Sequence, residues 1–437
     1  MSRTMRRGTA LVAGAALALT ALAGSPAQAA AGEAKPAATW LSGQLTGGLI
    51  HNDQHDSNNY GLSIDTALAL DAIGVRDAAV QSVATAIATN KDAYTGTPDV
   101  YAGAAAKALT LLQVAQGSAD PDPALRNVVA GQVIASGPSA GRIQDTSSWG
   151  DYANTIGQAF AARSLSAADP AVAPPVVQFL LAQQCDAGYF RLNFNTDKEA
   201  AEQGCVDGAP GSESDTDVTA LVLLQLEASE AAAEPDVAAA LENGAAWLAA
   251  QQKADGSFGG GTSTAASNAN STGLAGWALA EVGRTAKARK AATWVRALQP
   301  ADLGACRSKL TRDAGAIAYD ETALKAGRKD GITVESQDQW RRATAQAAPV
   351  LTYLPKGKKL TVAAKKVVKR GAKVTLTIKG LDRNENACIS LGAKSKRVVG
   401  TGTTVKVAFQ APAKRRVLKA IAQTLDSKAV RRVWVVR

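Results

Sequence analysis

Residues Ala240–Phe258 read Ala-Leu-Glu-Asn-Gly-Ala-Ala-Trp247-Leu248-Ala-Ala-Gln251-Gln252-Lys-Ala-Asp255-Gly256-Ser-Phe258. Trp247 and Leu248 share one face of a helix and polar residues take the other, as an amphipathic helix requires. The helix predicted near Ala239–Gln252 stops at Lys253-Ala254-Asp255-Gly256, where Asp and Gly mark a turn. After a Gly-rich loop, Asn270-Ser271-Thr272-Gly273-Leu274 opens a second helix of small and apolar residues. A helix apolar on most sides must be enclosed by other helices. The unit is therefore a pair, one helix amphipathic and one buried.

The unit recurs. Buried helices are predicted to open at Ser63-Ile64-Asp65, Asp99-Val100-Tyr101, Asp151-Tyr152-Ala153, Asp217-Val218-Thr219, Asn270-Ser271-Thr272 and Asp338-Gln339-Trp340. Successive starts lie 34 to 68 residues apart, within or somewhat beyond the range of repeat architectures. Amphipathic partners are predicted at Ala37–Leu41, Val176–Gln184 and Arg289–Gln299, the last with Trp294 and Leu298. An Asp or Asn at a helix start caps free backbone N–H groups, which is stabilising by about 0.5–2 kcal/mol. Six pairs close into two concentric layers with the apolar helices inside.

Two segments carry a family resemblance. Gln251–Gly260 resembles the Gln…Asp-Gly-Ser-Phe-Gly turn of the terpenoid cyclase and protein prenyltransferase repeat. Asp215-Thr216-Asp217-Val218-Thr219-Ala220 is similar to the Asp-x-Asp-Asp-Thr-Ala segment of squalene cyclases, with Val218 standing where the third carboxylate belongs. The resemblance runs from Trp40 to Leu354 and is best over Val176–Gln299. It implies an α6/α6 toroid for residues 36–355. It also implies that Asp217, if the chain is an enzyme, is the acid that protonates an isoprenoid substrate.

In such a toroid the inner helices run parallel. Asp65, Asp99, Asp151, Asp217, Asn270 and Asp338 are then expected at one rim, with Tyr60, Tyr101, Trp149, Tyr152, Trp277 and Trp340 nearby. Helix N-termini and aromatic platforms would suit a small polar or isoprenoid-like ligand.

Composition weighs against polyene cyclisation. Only 5% of the chain is aromatic, whereas carbocations need aromatic faces. The two histidines, His51 and His55, lie in an Asn/Asp/Gln-rich segment that reads as a loop, without a cysteine nearby in sequence. No Cys-Gly-Glu-Gln segment and no Ser/His/Asp arrangement is present. No catalytic residue, metal site or cofactor is expected outside the Asp217 alternative.

The ends add a second theme. Arg3, Arg6 and Arg7, an apolar run from Leu11 to Gly24 and Ala27-Gln28-Ala29 read as an export signal over residues 1–29. The run is too short to span a bilayer comfortably. In an oxidising compartment the four cysteines favour disulfides. Cys185 with Cys205 is the expected pair; Cys306 and Cys388 either link body to tail or stay free.

From Lys356 onward the pattern alternates apolar and polar, as at Lys373–Lys379, Thr404–Phe409 and Arg432–Val435. About seven antiparallel strands over residues 356–437 would make an immunoglobulin-like sandwich. That segment holds 22 Lys and Arg against three acids, +19, while the body holds 23 against 35, −12. Such a split predicts a cell-wall or membrane partner of negative charge, and export makes nucleic acid an unsuitable one. The order signal, toroid, β-domain also resembles the intrinsic factor and transcobalamin family, which would imply a corrinoid carrier by layout alone.

Overall fold

The computed structural model describes residues 32–437, so the export signal expected over 1–29 lies outside the described residues. The helices are α1 (Ala34–Ser42), α2 (Tyr60–Ile73), α3 (Asp77–Thr89), α4 (Lys91–Thr95), α5 (Ala102–Gln116) and α6 (Pro123–Gly131). They continue with α7 (Thr155–Ala168), α8 (Ala173–Leu181), α9 (Thr216–Glu227), α10 (Pro235–Gln251), α11 (Ala269–Glu281), α12 (Thr285–Arg296), α13 (Glu321–Asp330) and α14 (Gln337–Ala347).

Helix α10 shows why the pairs form. Pro235 starts it, and Val237, Ala240, Leu241, Gly244, Ala245 and Leu248 are buried at three- and four-residue spacing. Gly244 admits its partner α9: a Cβ there would stand 2.8 Å from Leu223 Cδ2. At the end of α10, Gln252 Nε2 donates to the carbonyls of Gly256 and Lys287. Gly256 takes a positive φ, and any Cβ would meet the Lys290 carbonyl at 2.6 Å.

The chain then crosses to the next helix through one repeated device. A backbone N–H after each turn donates to a polar side chain on the helix that follows. The pairs are Ile50 to Ser63, Ile143 to Gln158, Phe190 to Thr219, Phe258 to Thr272 and Ile317 to Thr344, at 2.8–3.0 Å. All five acceptors are fully buried, so each bond satisfies a polar group that would otherwise destabilise the core.

Helix α2 packs on α5, α5 on α7, α7 on α9, α9 on α11, α11 on α14, and α14 back on α2. Outside this circuit α3 covers α2, α6 covers α5, α8 covers α7, α10 covers α9 and α12 covers α11. Helix α1 and the 3-10 turn Pro349–Tyr353 cover α14. One continuous apolar core runs from Ala34 to Leu354.

Strands follow two patterns. His51–Asn52 (β1) and Ser57–Asn58 (β2) form a short antiparallel hairpin, so the histidine segment expected to be a loop is locally paired. The remaining strands are β3 (Thr361–Ala363), β4 (Val367–Lys369), β5 (Lys373–Lys379), β6 (Asn386–Leu391), β7 (Lys394–Val399), β8 (Val405–Gln410), β9 (Arg416–Gln423) and β10 (Lys428–Val436). They make a five-stranded sheet, β4-β10-β9-β6-β7, and a three-stranded sheet, β3-β5-β8. Leu376, Ile378 and Phe409 of one sheet share a core with Ile389, Leu418 and Val433 of the other. Strand β4 runs parallel to β10, a departure from the all-antiparallel expectation.

The β-region is fastened to the helical body. Cys306–Cys388 joins them, and Cys185–Cys205 closes a loop within the body. Asn386 Nδ2 donates to the carbonyls of Ala297 and Gln299 at the end of α12. Arg296 bonds Glu33 and lies 3.8 Å from Asp382. Burial pushes Glu33 up to about 7, against the pull of Arg296.

Candidate functional site

The residues expected to form one acidic rim are distributed among separate local contacts. None of them is itself the N-cap. Asn59, Asn154, Asp215 and Asn268 cap α2, α7, α9 and α11, and Asp145 accepts the N–H of Ala102 at the start of α5. The sequence pattern placed the starts near the right residues but assigned the capping role to neighbours.

Asp65 lies inside α2, where its carboxylate holds Lys107 Nζ at 2.6 Å. Burial depresses Lys107, but Asp65 and Tyr94 outweigh it and keep the ammonium above its ordinary value. Lys107 also stands over the Phe160 ring. Asp338 accepts from Asn52 Nδ2 and Asn59 Nδ2 and pairs with Arg341 at 3.3 Å.

Asp99, Asp151 and Tyr152 come together at the loop of residues 145–153 that precedes α7. Asp99 accepts from the Ser148 N–H and hydroxyl. Asp151 pairs with Arg142 at 2.9 Å and Lys198 at 3.0 Å. Burial pushes Asp151 up, yet N–H donation from Asp145 and Ala153 and the Lys198 ammonium bring it below the usual carboxylate range. Tyr152 is 65% exposed and donates its hydroxyl proton to the Trp149 carbonyl. Asp151, Tyr152, Arg142, Arg191, Lys198 and Phe194 border a cavity of about 710 Å³.

Asp217 differs from these. Among the described residues no salt bridge reaches it, and its Oδ1 is buried without a hydrogen-bond partner. Burial, together with the neighbouring Asp215 carboxylate, pushes it up to about 6 despite a hydrogen bond from Ser271. The Gly259–Gly261 backbone closes over it: a Cβ on Gly260 would lie 2.6 Å from Asp217 Oδ2. Asn270, the residue before Ser271 on α11, donates to Gln346 Oε1 at 2.6 Å and keeps a buried, unpartnered Oδ1.

Two expected rim aromatics are elsewhere. Trp340 is 2% exposed, in the core against Gly327. Trp277 lies two turns into α11, beyond Asn270 in its first turn, and borders the other end of the helix circuit. There a cavity of about 310 Å³ collects the C-terminal parts of α2, α5, α7, α9 and α11, with Asp71, Arg163, Glu227 and Glu281 around it. That shared set of C-terminal ends makes these five helices parallel. Burial raises Asp71 and Glu227, and lowers Arg163.

The cations Lys107, Arg142, Arg163 and Lys198 escaped the sequence reading. A signal existed for two of them. Lys107 and Arg163 are the isolated charges in α5 and α7, helices otherwise of small and apolar residues, and a charge so placed needs a partner.

No family profile matches the chain, and no curated protein matches it. Among solved structures, a protein from Actinoplanes is similar at 16% identity and a TM-score of 0.48, covering 75% of this chain and 99% of that one. Type II terpene cyclase MstE from Scytonema is similar at 15% identity and a TM-score of 0.48, covering 73% of this chain and 96% of that one.

Proposed function

We propose that this chain is a non-catalytic binding protein of the bacterial-type envelope or its exterior. Its helical part, residues 36–355, is an α6/α6 toroid. Its basic part, residues 356–437, is an immunoglobulin-like sandwich that holds the protein on an anionic surface. The closed circuit of six helix contacts supports the toroid. Two sheets sharing one core support the sandwich.

One observation carries the functional reading. The three acids of the β-region, Asp382, Glu385 and Asp426, all border one cavity at the junction with the body. Among the described residues, Arg397 to Asp302 is the one salt bridge that a base of the β-region makes to the body. The +19 charge is therefore not consumed in docking on the acidic body. It stands on sheet faces without acids, where Lys373, Lys396, Lys406, Lys419 and Arg432 are exposed. Fields of this kind attract polyanions and are screened by salt.

The test uses the full mature chain and purified envelopes. Retention that falls steeply as salt rises supports the reading. Absent retention, or retention indifferent to salt, removes it.

A specific observation favours a second reading, an acid-catalysing enzyme acting on isoprenoids. Asp217 alone among the helix-start carboxylates has a strongly raised pKa and a free oxygen. Such a group keeps its proton up to about pH 6, well above an ordinary aspartate. Its cover by Gly259–Gly261 means that substrate must displace that loop. Isoprenoid turnover that disappears in Asp217→Asn supports an enzyme; zero or equal turnover in both removes it.

A further inference from the structure

We infer that the outer face of strands β4, β10 and β9 is a docking surface for an anionic phospholipid bilayer. The inference rests on the surface-attachment reading and names the surface. The register aligns three cross-strand rows on this face. Val367, Trp434 and Val417 make one row, Arg432 and Lys419 the next, and Val430 and Ile421 the third. Alternation sends Val368, Val433, Val435, Leu418 and Ala420 to the core, so the intervening residues face outward.

Apolar side chains are kept in the open here. Val367, Val417 and Val430 are 54%, 54% and 53% exposed. Trp434 is half-buried beneath Lys366, whose ammonium stands 5.3 Å from its ring centre. The same sheet's other end is covered: Arg397, Asn386 and Ser395 bond to the body. Among the described residues, strands β4, β9 and β10 make no hydrogen bond to the body.

The charges are equally informative. Lys419 lies directly opposite Arg432, and a like pair in that register is destabilising by itself. Among the described residues neither makes a salt bridge. A surface that brings phosphate groups between them would remove that repulsion.

Lipid fits this face better than a soluble polyanion because of the valines. A wall polymer would satisfy Lys and Arg but give Val367, Val417 and Val430 nothing apolar to enter. A bilayer interface offers both. Headgroups meet the basic row, and the acyl boundary receives the flanking valines and the Trp edge. This is shallow, reversible seating on one sheet face, not insertion of a segment.

The experiment is flotation of the full mature chain with vesicles of phosphatidylcholine alone or mixed with phosphatidylglycerol, beside sedimentation with lipid-free wall sacculi. Two double variants are compared, Lys419→Glu with Arg432→Glu, and Val417→Ser with Val430→Ser. All four positions are exposed or edge the core, and unchanged melting curves establish that each variant folds. The expected result is binding to phosphatidylglycerol vesicles only. It should weaken at least about tenfold in the charge variant and about threefold or more in the valine variant. Sacculus binding without vesicle binding overturns the lipid inference and leaves the attachment reading intact. Vesicle binding unaffected by either double variant overturns the assignment to this face. Failure to bind both vesicles and sacculi removes the attachment reading itself.

Discussion

Asp151 and Asp217 stand at the starts of adjacent helices, α7 and α9, and live in opposite electrostatic worlds. Asp151 faces Arg142 and Lys198, accepts two backbone N–H groups, and lies below the usual carboxylate range. Asp217 has burial, a neighbouring carboxylate and one serine, and is pushed up to about 6. Similar sequence contexts, an acid before a run of small apolar residues, thus yield an anion that fastens a loop and a buried carboxyl of raised pKa under a glycine cover. The lesson is that helix position does not settle a carboxylate's role. What decides is whether the fold brings a cation to it.

The largest expected effect comes from removing the paired acid. Arg142 has a side chain only 5% exposed, stacked 4.9 Å from the Phe194 ring, and Asp151 is its counter-charge. Asp151→Ala leaves a buried guanidinium with the Asn195 carbonyl as its remaining polar contact. Stability at pH 7 should fall by about 3–5 kcal/mol in urea unfolding. A loss under about 1 kcal/mol would mean that water or another group neutralises Arg142.

Removing the unpaired acid should do the reverse. Asp217 holds its proton more tightly folded than unfolded, so ionisation works against folding. Its destabilising contribution is absent below the unfolded pKa near 3.8, grows as pH rises, and is complete above about 6. Asp217→Asn keeps a polar side chain near Ser271 without the charge. It should stabilise the fold by about 2–3 kcal/mol at pH 8 and by almost nothing at pH 4. Destabilisation at pH 8 would show that the carboxylate has a counter-ion and would dissolve the contrast with Asp151.

The glycine cover can be tested separately. A Cβ at position 260 would lie 2.3 Å from Thr264 Oγ1 and 2.6 Å from Asp217 Oδ2. Gly260→Ala should cost about 1–2 kcal/mol as the loop shifts. The opened loop admits water, so the Asp217 pKa, followed by carboxyl NMR, should move down toward 3.8. An unmoved pKa would locate the burial in α9 and α11 instead of the loop.

Much of the helical organisation was legible because it depends on period and punctuation. Trp247, Leu248 and the Asp255-Gly256 turn dictate an amphipathic helix and its end, and Val218–Leu226 dictates a buried one. The strands of the β-region were legible for the same reason, since Lys373–Lys379 alternates along its whole length. The site was less legible. Lys107 reaches Asp65 across 42 residues, and Lys198 reaches Asp151 across 47; no local pattern encodes such pairings. Trp277 was misplaced because an aromatic eight residues into a helix belongs to the opposite end from its cap. The parallel β4–β10 pair joins the two ends of the β-region, a closure that strand periodicity does not express.

The smallest expected effect isolates charge from anchorage. Asp99 and Asp151 both hold the Asp145–Tyr152 loop, Asp99 by accepting from Ser148 and Asp151 through its bond from the Asp145 N–H. Asp99, however, makes no salt bridge among the described residues. Asp99→Asn keeps one acceptor oxygen for the Ser148 N–H. Its cost should stay within about 0.5–1 kcal/mol, the range of one ordinary hydrogen bond. If chemical unfolding instead finds a loss as large as that of Asp151→Ala, loop anchorage explains both residues and the buried Arg142 charge explains neither. If the loss is small, the difference between the two variants measures what a buried counter-charge contributes, and the distinction between Asp151 and Asp217 stands on electrostatics alone.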